Sequence, residues 1–244
     1  MKSLSVIQNI NKVQSDPFPY VITEDALPEK YVKELQSTLP DSYIDSKPFS
    51  EVDPSQRIKW KMLQEDNWPI SNIWKDFFAY HTSREYFNAV CNLFEPWWTS
   101  MPVQPNKINL DERKGKPGMY TAYTETQFVR HRVMAEGQTT RTAHLDNKME
   151  IYAGLLYFRH PDDNSKGGGF NIHSGPTVPE FNRKNNNEVI NPGPIVATCP
   201  YKTNTFAMFW NTRNAVHSVQ PRENAEQERW SINIIGRYNS RSMW

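Results

Sequence analysis

Cysteine is scarce: Cys91 and Cys199 are the only two in 244 residues, and neither belongs to a C-x-x-C pair. That argues against a disulfide framework and against a thiolate zinc site. An excess of one charge is missing too. Lys and Arg number 28 against 27 Asp and Glu, interleaved along the chain, so there is no electrostatic footprint for nucleic acid or an anionic membrane. No apolar run approaches the roughly 18 residues of a membrane-spanning helix. Met1–Val13 holds two lysines and no long apolar stretch, so it does not read as a signal peptide and a cytoplasmic location is expected. Internal repeats and linkers are also lacking, and the expectation is one domain over residues 1–244.

Aromatics are plentiful, at 13%, which suggests an aromatic-walled interior. The first half of the chain reads as helical. Tyr31, Val32, Leu35 and Leu39 share a helical face after Pro28, with Asp25 as a candidate cap and Pro40 as the stop. Ile73, Trp74, Phe77 and Phe78 predict a short helix. Tyr86, Phe87, Val90, Cys91 and Phe94 predict a longer one, begun after Ser83 and ended by Pro96. From about Tyr120 the period changes to that of strands. Thr126–Ala135, Ile151–Phe158, Phe170–His173, Pro194–Ala197, Thr205–Trp210 and Trp230–Tyr238 are short runs divided by Asp, Asn, Gly and Pro turns. The expected fold is mainly β, a double-sheet barrel or sandwich over 120–240, with a helix-rich support in 1–119. Ser174–Gly193 is polar and long, and reads as an exposed loop or a lid.

His144-Leu145-Asp146 stands out chemically. Residues i and i+2 of an extended backbone project to one side, so this imidazole and this carboxylate can grip one ion. His217, after the apolar run Phe206–Trp210, can supply a second imidazole. Two histidines and one carboxylate suit one face of an octahedral iron(II) and leave the opposite face open. H-x-D alone is a weak signal, and His160-Pro161-Asp162 is a second copy; it lies where a strand breaks into a turn, so the first is preferred. Twelve positions after His217 comes Arg229-Trp230-Ser231-Ile232-Asn233-Ile234. Alternation places Arg229, Ser231 and Asn233 on one face, and a guanidinium beside a hydroxyl makes a good carboxylate receptor.

H-x-D, a distal histidine and R-x-S on the last strand together resemble the 2-oxoglutarate/iron(II) oxygenase superfamily. Gly154–Phe158, the glycine run Gly167–Gly169 and Phe206–Asn211 are similar to that family as well, and the likeness is strong over about 120–238. The resemblance implies a double-stranded β-helix (jelly roll) and Fe(II) on His144, Asp146 and His217. It implies 2-oxoglutarate with its distal carboxylate on Arg229 and Ser231. It also implies O2 as oxidant, release of succinate and CO2, and hydroxylation of a substrate C–H bond. Halogenating members carry a small residue where Asp146 stands, so oxygen transfer is expected. The substrate stays open between a free amino acid, a peptidyl side chain and a small metabolite.

Other residues carry weaker signals. Gln127 and Arg132 precede the H-x-D on a strand, and Arg141 is close to it; each could line a pocket or face solvent. His131 and His173 read as hydrogen-bonded structural histidines. Tyr152 and Tyr157 lie on opposite faces of their strand, and one of them could face the cosubstrate. A cupin-like metal dioxygenase without 2-oxoglutarate, or a non-catalytic β-sandwich, would share part of this pattern. A nucleic-acid demethylase of the same superfamily fits less well, because Arg237, the next arginine after Arg229, is eight residues on.

Overall fold

The computed structural model describes residues 4–47, 49, 53–110, 121–176, 179–182 and 185–244. The first half of the chain contains β1 (Tyr20–Thr23), α1 (Glu29–Ser37), α2 (Asp41–Asp45) and β2 (Ser55–Lys59). It continues through α3 (Trp60–Glu65), α4 (Asn72–His81), α5 (Arg84–Leu93) and β3 (Asn109–Leu110). The second half is β throughout. It runs β4 (Thr121–His131), β5 (Glu150–Tyr157), β6 (Lys166–Gly167), β7 (Phe170–His173), β8 (Phe181–Asn182) and β9 (Asn185–Val189). It ends with β10 (Ile195–Cys199), β11 (Phe206–Trp210), β12 (His217–Val219), β13 (Arg222–Glu223) and β14 (Arg229–Tyr238).

The larger sheet has the order β1-β11-β5-β14-β4-β2, with β3 added beside β4. A smaller sheet, β10-β7-β12, faces it. Strand alternation divides the side chains between two compartments. Phe206, Met208, Trp210, Ile232 and Ile234 point outward and pack on α4 and α5 through Trp74, Phe77, Phe78, Phe87 and Phe94. Ala207, Phe209 and Tyr157 point inward, toward Phe170, Ile172 and Tyr201. The fold is therefore the expected jelly roll with helices on its outer face. The helical stripes are where the periodicity puts them, and Ser83 caps α5 by accepting from the backbone N–H of Tyr86 at 3.1 Å.

Three expectations need correction. Asp25 does not cap α1: Pro28 is the N-cap, and Asp25 lies three residues upstream at φ 52. Leu39 falls outside that helix, which ends at Ser37. Ser174–Gly193 is not a bare loop, because β8 and β9 within it pair as a hairpin. Leu145 N–H donates to Asn187 O at 3.0 Å and Val189 N–H to Ala143 O at 2.8 Å, so the hairpin extends the smaller sheet past His144. An edge strand with a solvent face keeps polar residues and loses the alternation that would betray it.

The first half of the chain also supplies both edges of the larger sheet. β1 pairs with β11, and β2 pairs with β4 along Ser55↔His131 to Lys59↔Gln127. Among the described residues no helix is long and apolar enough to cross a membrane.

Candidate active site

His144 and His217 meet at the backbone first. His144 N–H donates to His217 O at 2.9 Å, and His217 N–H returns a bond to His144 O at 3.2 Å. This antiparallel pair brings two histidines 73 positions apart in sequence into register, and their rings lie 4.2 Å apart. Each ring is oriented by its own chain. Nδ1 of His144 lies 2.7 Å from Thr142 O, and Nδ1 of His217 lies 2.8 Å from Ala215 O. A carbonyl only accepts, so each Nδ1 must carry the proton and each Nε2 presents a lone pair. Phe170 and Phe209 flank the His217 ring at 5.1 and 4.6 Å.

Both lone pairs converge on one carboxylate. Asp146 Oδ1 is 3.5 Å from His144 Nε2 and 3.6 Å from His217 Nε2. Those gaps are too long for good hydrogen bonds, and the three facing atoms are all acceptors. The donor set of this cluster suits a divalent metal. The ligand atoms of the three residues lie within 4.8 Å of one another, and among the described residues this is the one such group. Burial, then His217, pushes His144 down to about 4, which keeps it neutral and ready to ligate. His160, by contrast, is exposed in its turn, with Nδ1 accepting from Asp162 N–H.

The triad opens onto a cavity of about 700 Å³ between the sheets. Arg229, Ser231, Asn233, Ile235 and Arg237 of β14 all line it, as alternation requires, beside Gln127 and His131 of β4. Arg229 is 2% exposed. Its Nε donates to Gly168 O at 2.9 Å and its Nη2 to Tyr157 Oη at 2.7 Å. The guanidinium also lies 4.8 and 5.4 Å from the ring centres of Tyr157 and Tyr201. Every one of these partners is neutral. Among the described residues no carboxylate pairs with Arg229, although an uncompensated buried charge costs several kcal/mol. Gly168 can offer its carbonyl because it takes φ +78, and a Cβ on the preceding Gly167 would overlap Pro221 O; that is what the glycine run is for.

The weaker sequence signals now separate. Tyr157 faces the site, while Tyr152 lies in the outer core against Phe87, its hydroxyl without a partner among the described residues. Gln127 and Arg141 line the cavity, whereas Arg132 lines a smaller one behind Arg229. His173 is hydrogen-bonded through both nitrogens, to Gly193 O and Ser218 Oγ. His131 differs from the structural histidine expected in that it lines the cavity. Burial and the neighbouring Arg229 push it down to about 3. Sequence reasoning missed Arg57, Lys59, Glu125 and Glu150, which also line the cavity. The only signal for the first two was the weak alternation of Ser55-Gln56-Arg57-Ile58-Lys59.

Structures that align over most of the chain include a protein from Shewanella oneidensis described as an oxygenase, with 10% identity, 88% of this chain and 80% of that one covered, and a TM-score of 0.50. A Pseudomonas putida prolyl-4-hydroxylase aligns at 14% identity, 89% and 91% coverage and a TM-score of 0.47. HygX from Streptomyces hygroscopicus, solved with nickel, 2-oxoglutarate and hygromycin B, aligns at 10%, 92% and 85%, and 0.48. A search of curated proteins finds no match. Residues 118–235 match the family described as the 2OG-Fe(II) oxygenase superfamily, and that stretch contains the three converging ligand groups and all but the last cavity residues of β14. The match covers just under half of the chain and makes its strand-rich part similar to the 2-oxoglutarate-dependent iron oxygenases of that superfamily.

Proposed function

We propose that His144, Asp146 and His217 hold the iron, that Arg229 and Ser231 bind the distal carboxylate of 2-oxoglutarate, and that the enzyme hydroxylates a C–H bond of an amino acid, peptidyl side chain or small metabolite. One observation carries the cosubstrate assignment: Arg229 is buried, oriented by neutral groups and without a carboxylate partner among the described residues, in the same cavity as the triad. A dianionic ligand supplies the missing charge, and the planar guanidinium suits a carboxylate. Iron and 2-oxoglutarate, when bound, supply the oxidising power, one oxygen atom going to the substrate and one to succinate.

The protein's own groups supply position and exclusion of water. The carbonyls of Thr142 and Ala215 fix the histidine tautomers. Phe170 and Phe209 shield the His217 ring from solvent. Tyr157 orients the guanidinium, and burial keeps its hydroxyl protonated. Ser231 Oγ, now donating to Asn233 Oδ1 at 3.1 Å, can turn to a carboxylate without leaving that neighbourhood. Asp146 fills the position a halide would need, so hydroxylation rather than chlorination is the expected outcome.

Alanine at His144, Asp146 or His217 should abolish iron-dependent succinate release, and His160→Ala should retain it. With labelled O2 in chloride-containing buffer, mass spectrometry should find one labelled oxygen in product and one in succinate. A chlorinated product, or full activity of the His144 variant, would remove the assignment.

A further inference from the structure

The cavity has a second charged end, at the far end of β14. Glu150 of β5 and Arg237 of β14 both line it. They face each other across the ladder, just beyond an irregularity between Gly236 and Arg237. That irregularity decides which residue looks inward. Ala153 and Tyr157 face the cavity side of β5, so strict alternation would next turn Ile151 inward. The register instead passes from Gly236↔Tyr152 to Arg237↔Glu150. Ile151 and Tyr152 both go into the outer core, fully buried, and a carboxylate turns into the cavity in their place. Bulges re-aim side chains in this way and favour the neighbourhood of active sites.

The other charges at this end are already matched. Lys59 Nζ is 2.7 Å from Glu125 Oε1, and Arg57 Nη1 is 3.2 Å from Asp53 Oδ2. Glu150 and Arg237 are not. Among the described residues no ion pair or hydrogen bond closes on the Glu150 carboxylate. Among the described residues Arg237 has only a 3.8 Å contact from Nη2 to Met149 Sδ. Opposite charges on neighbouring strands, each feeling the other but not touching, leave a gap with an acceptor on one side and donors on the other.

We propose that Glu150 and Arg237 are the substrate-recognition pair and that the substrate is a free amino acid, its ammonium group on Glu150 and its carboxylate on Arg237. An α-amino acid carries both groups on one carbon, which suits receptors one strand apart; a peptidyl residue within a chain has neither. With the head group fixed here, the side chain is the part directed toward the triad. Burial, with help from the charge of Asp146, pushes the Glu150 carboxyl up to about 8, and an incoming ammonium supplies the counter-charge it lacks.

The inference rests on the oxygenase reading of the site, so its test includes an arm independent of turnover. Ligand-observed NMR with zinc-loaded protein and 2-oxoglutarate would screen free L-amino acids against their N-acetyl and methyl-ester derivatives. One or more free amino acids should bind, and capping either end should weaken binding at least tenfold. In parallel, the iron enzyme is assayed for succinate release stimulated by the same panel. Glu150→Gln and Arg237→Gln should raise the KM for the amino acid at least tenfold and that for 2-oxoglutarate by less than twofold, with Glu150→Asp recovering part of the loss. Capped derivatives that bind as well as free ones, or no binding by any free amino acid, would overturn the inference whatever the succinate assay gives. Binding that is selective for the free form without succinate release under any condition would support it while removing the function proposed above.

Discussion

Arg229 and Arg237 lie eight residues apart on one strand and face one cavity, yet they are built differently. Arg229 is sealed, stacked on two tyrosines and fixed by two hydrogen bonds to neutral acceptors. Arg237 is half-buried, with one weak sulfur contact. A guanidinium pre-organised this tightly loses little freedom when a carboxylate arrives, so its site is specialised for one ligand of fixed shape. A looser arginine beside a lone carboxylate keeps the adaptability that a variable side of the reaction needs. In the proposed reading the same residue type serves the constant partner at one end and the variable partner at the other.

Removing Arg229 should give the largest effect on this comparison. Truncating one member of a buried charge pair costs about 2–5 kcal/mol, so Arg229→Ala should raise the KM for 2-oxoglutarate by tenfold or more, with iron affinity little changed. A titration showing the 2-oxoglutarate response unaltered would end the distinction between the two ends.

A milder change sharpens it. Tyr157→Phe keeps the ring under Arg229 and deletes the hydroxyl that accepts from Nη2. Losing one hydrogen bond of about 1 kcal/mol predicts roughly a fivefold rise in the same constant. Equal rises in the KM values for substrate and for 2-oxoglutarate would mean that the two ends are not separate.

The smallest effect is on stability. A carboxyl raised in the folded state from 4.5 to about 8 stabilises the fold fully below 4.5 and loses that contribution as pH rises through about 8. The buried histidines act in the opposite sense. His144 and His131, held at about 4 and about 3, weaken the fold only as pH falls below their ordinary value of 6.5. Between 6.5 and 8, then, the metal-free protein should lose melting temperature as pH rises, and Glu150→Gln should flatten that slope. An unchanged slope in this variant would mean that Glu150 is already matched.

How much was legible follows from the range of each signal. Alternation is local, so it placed Arg229, Ser231 and Asn233 on one face and Trp230, Ile232 and Ile234 on the other without any knowledge of the fold. Helical stripes in α4 and α5 were equally plain, because each buries a continuous apolar face. The strand β2 was not, since only Ile58 of its five residues gives a clear apolar signal. Its partner β4, far away in sequence, is what makes it a strand and brings Arg57 and Lys59 to the cavity.

By itself the sequence determined that His144 and Asp146, like Arg229 and Ser231, share one face of their segment, because i, i+2 spacing on an extended chain is a property of the backbone. Only the tertiary structure decided that His217 joins His144 through paired backbone bonds, that Tyr157 rather than Tyr152 meets Arg229, and that the β5 irregularity turns Glu150 inward. Each of those depends on register between distant strands. Register is set by which faces find a core to bury, and no short stretch of sequence carries that information.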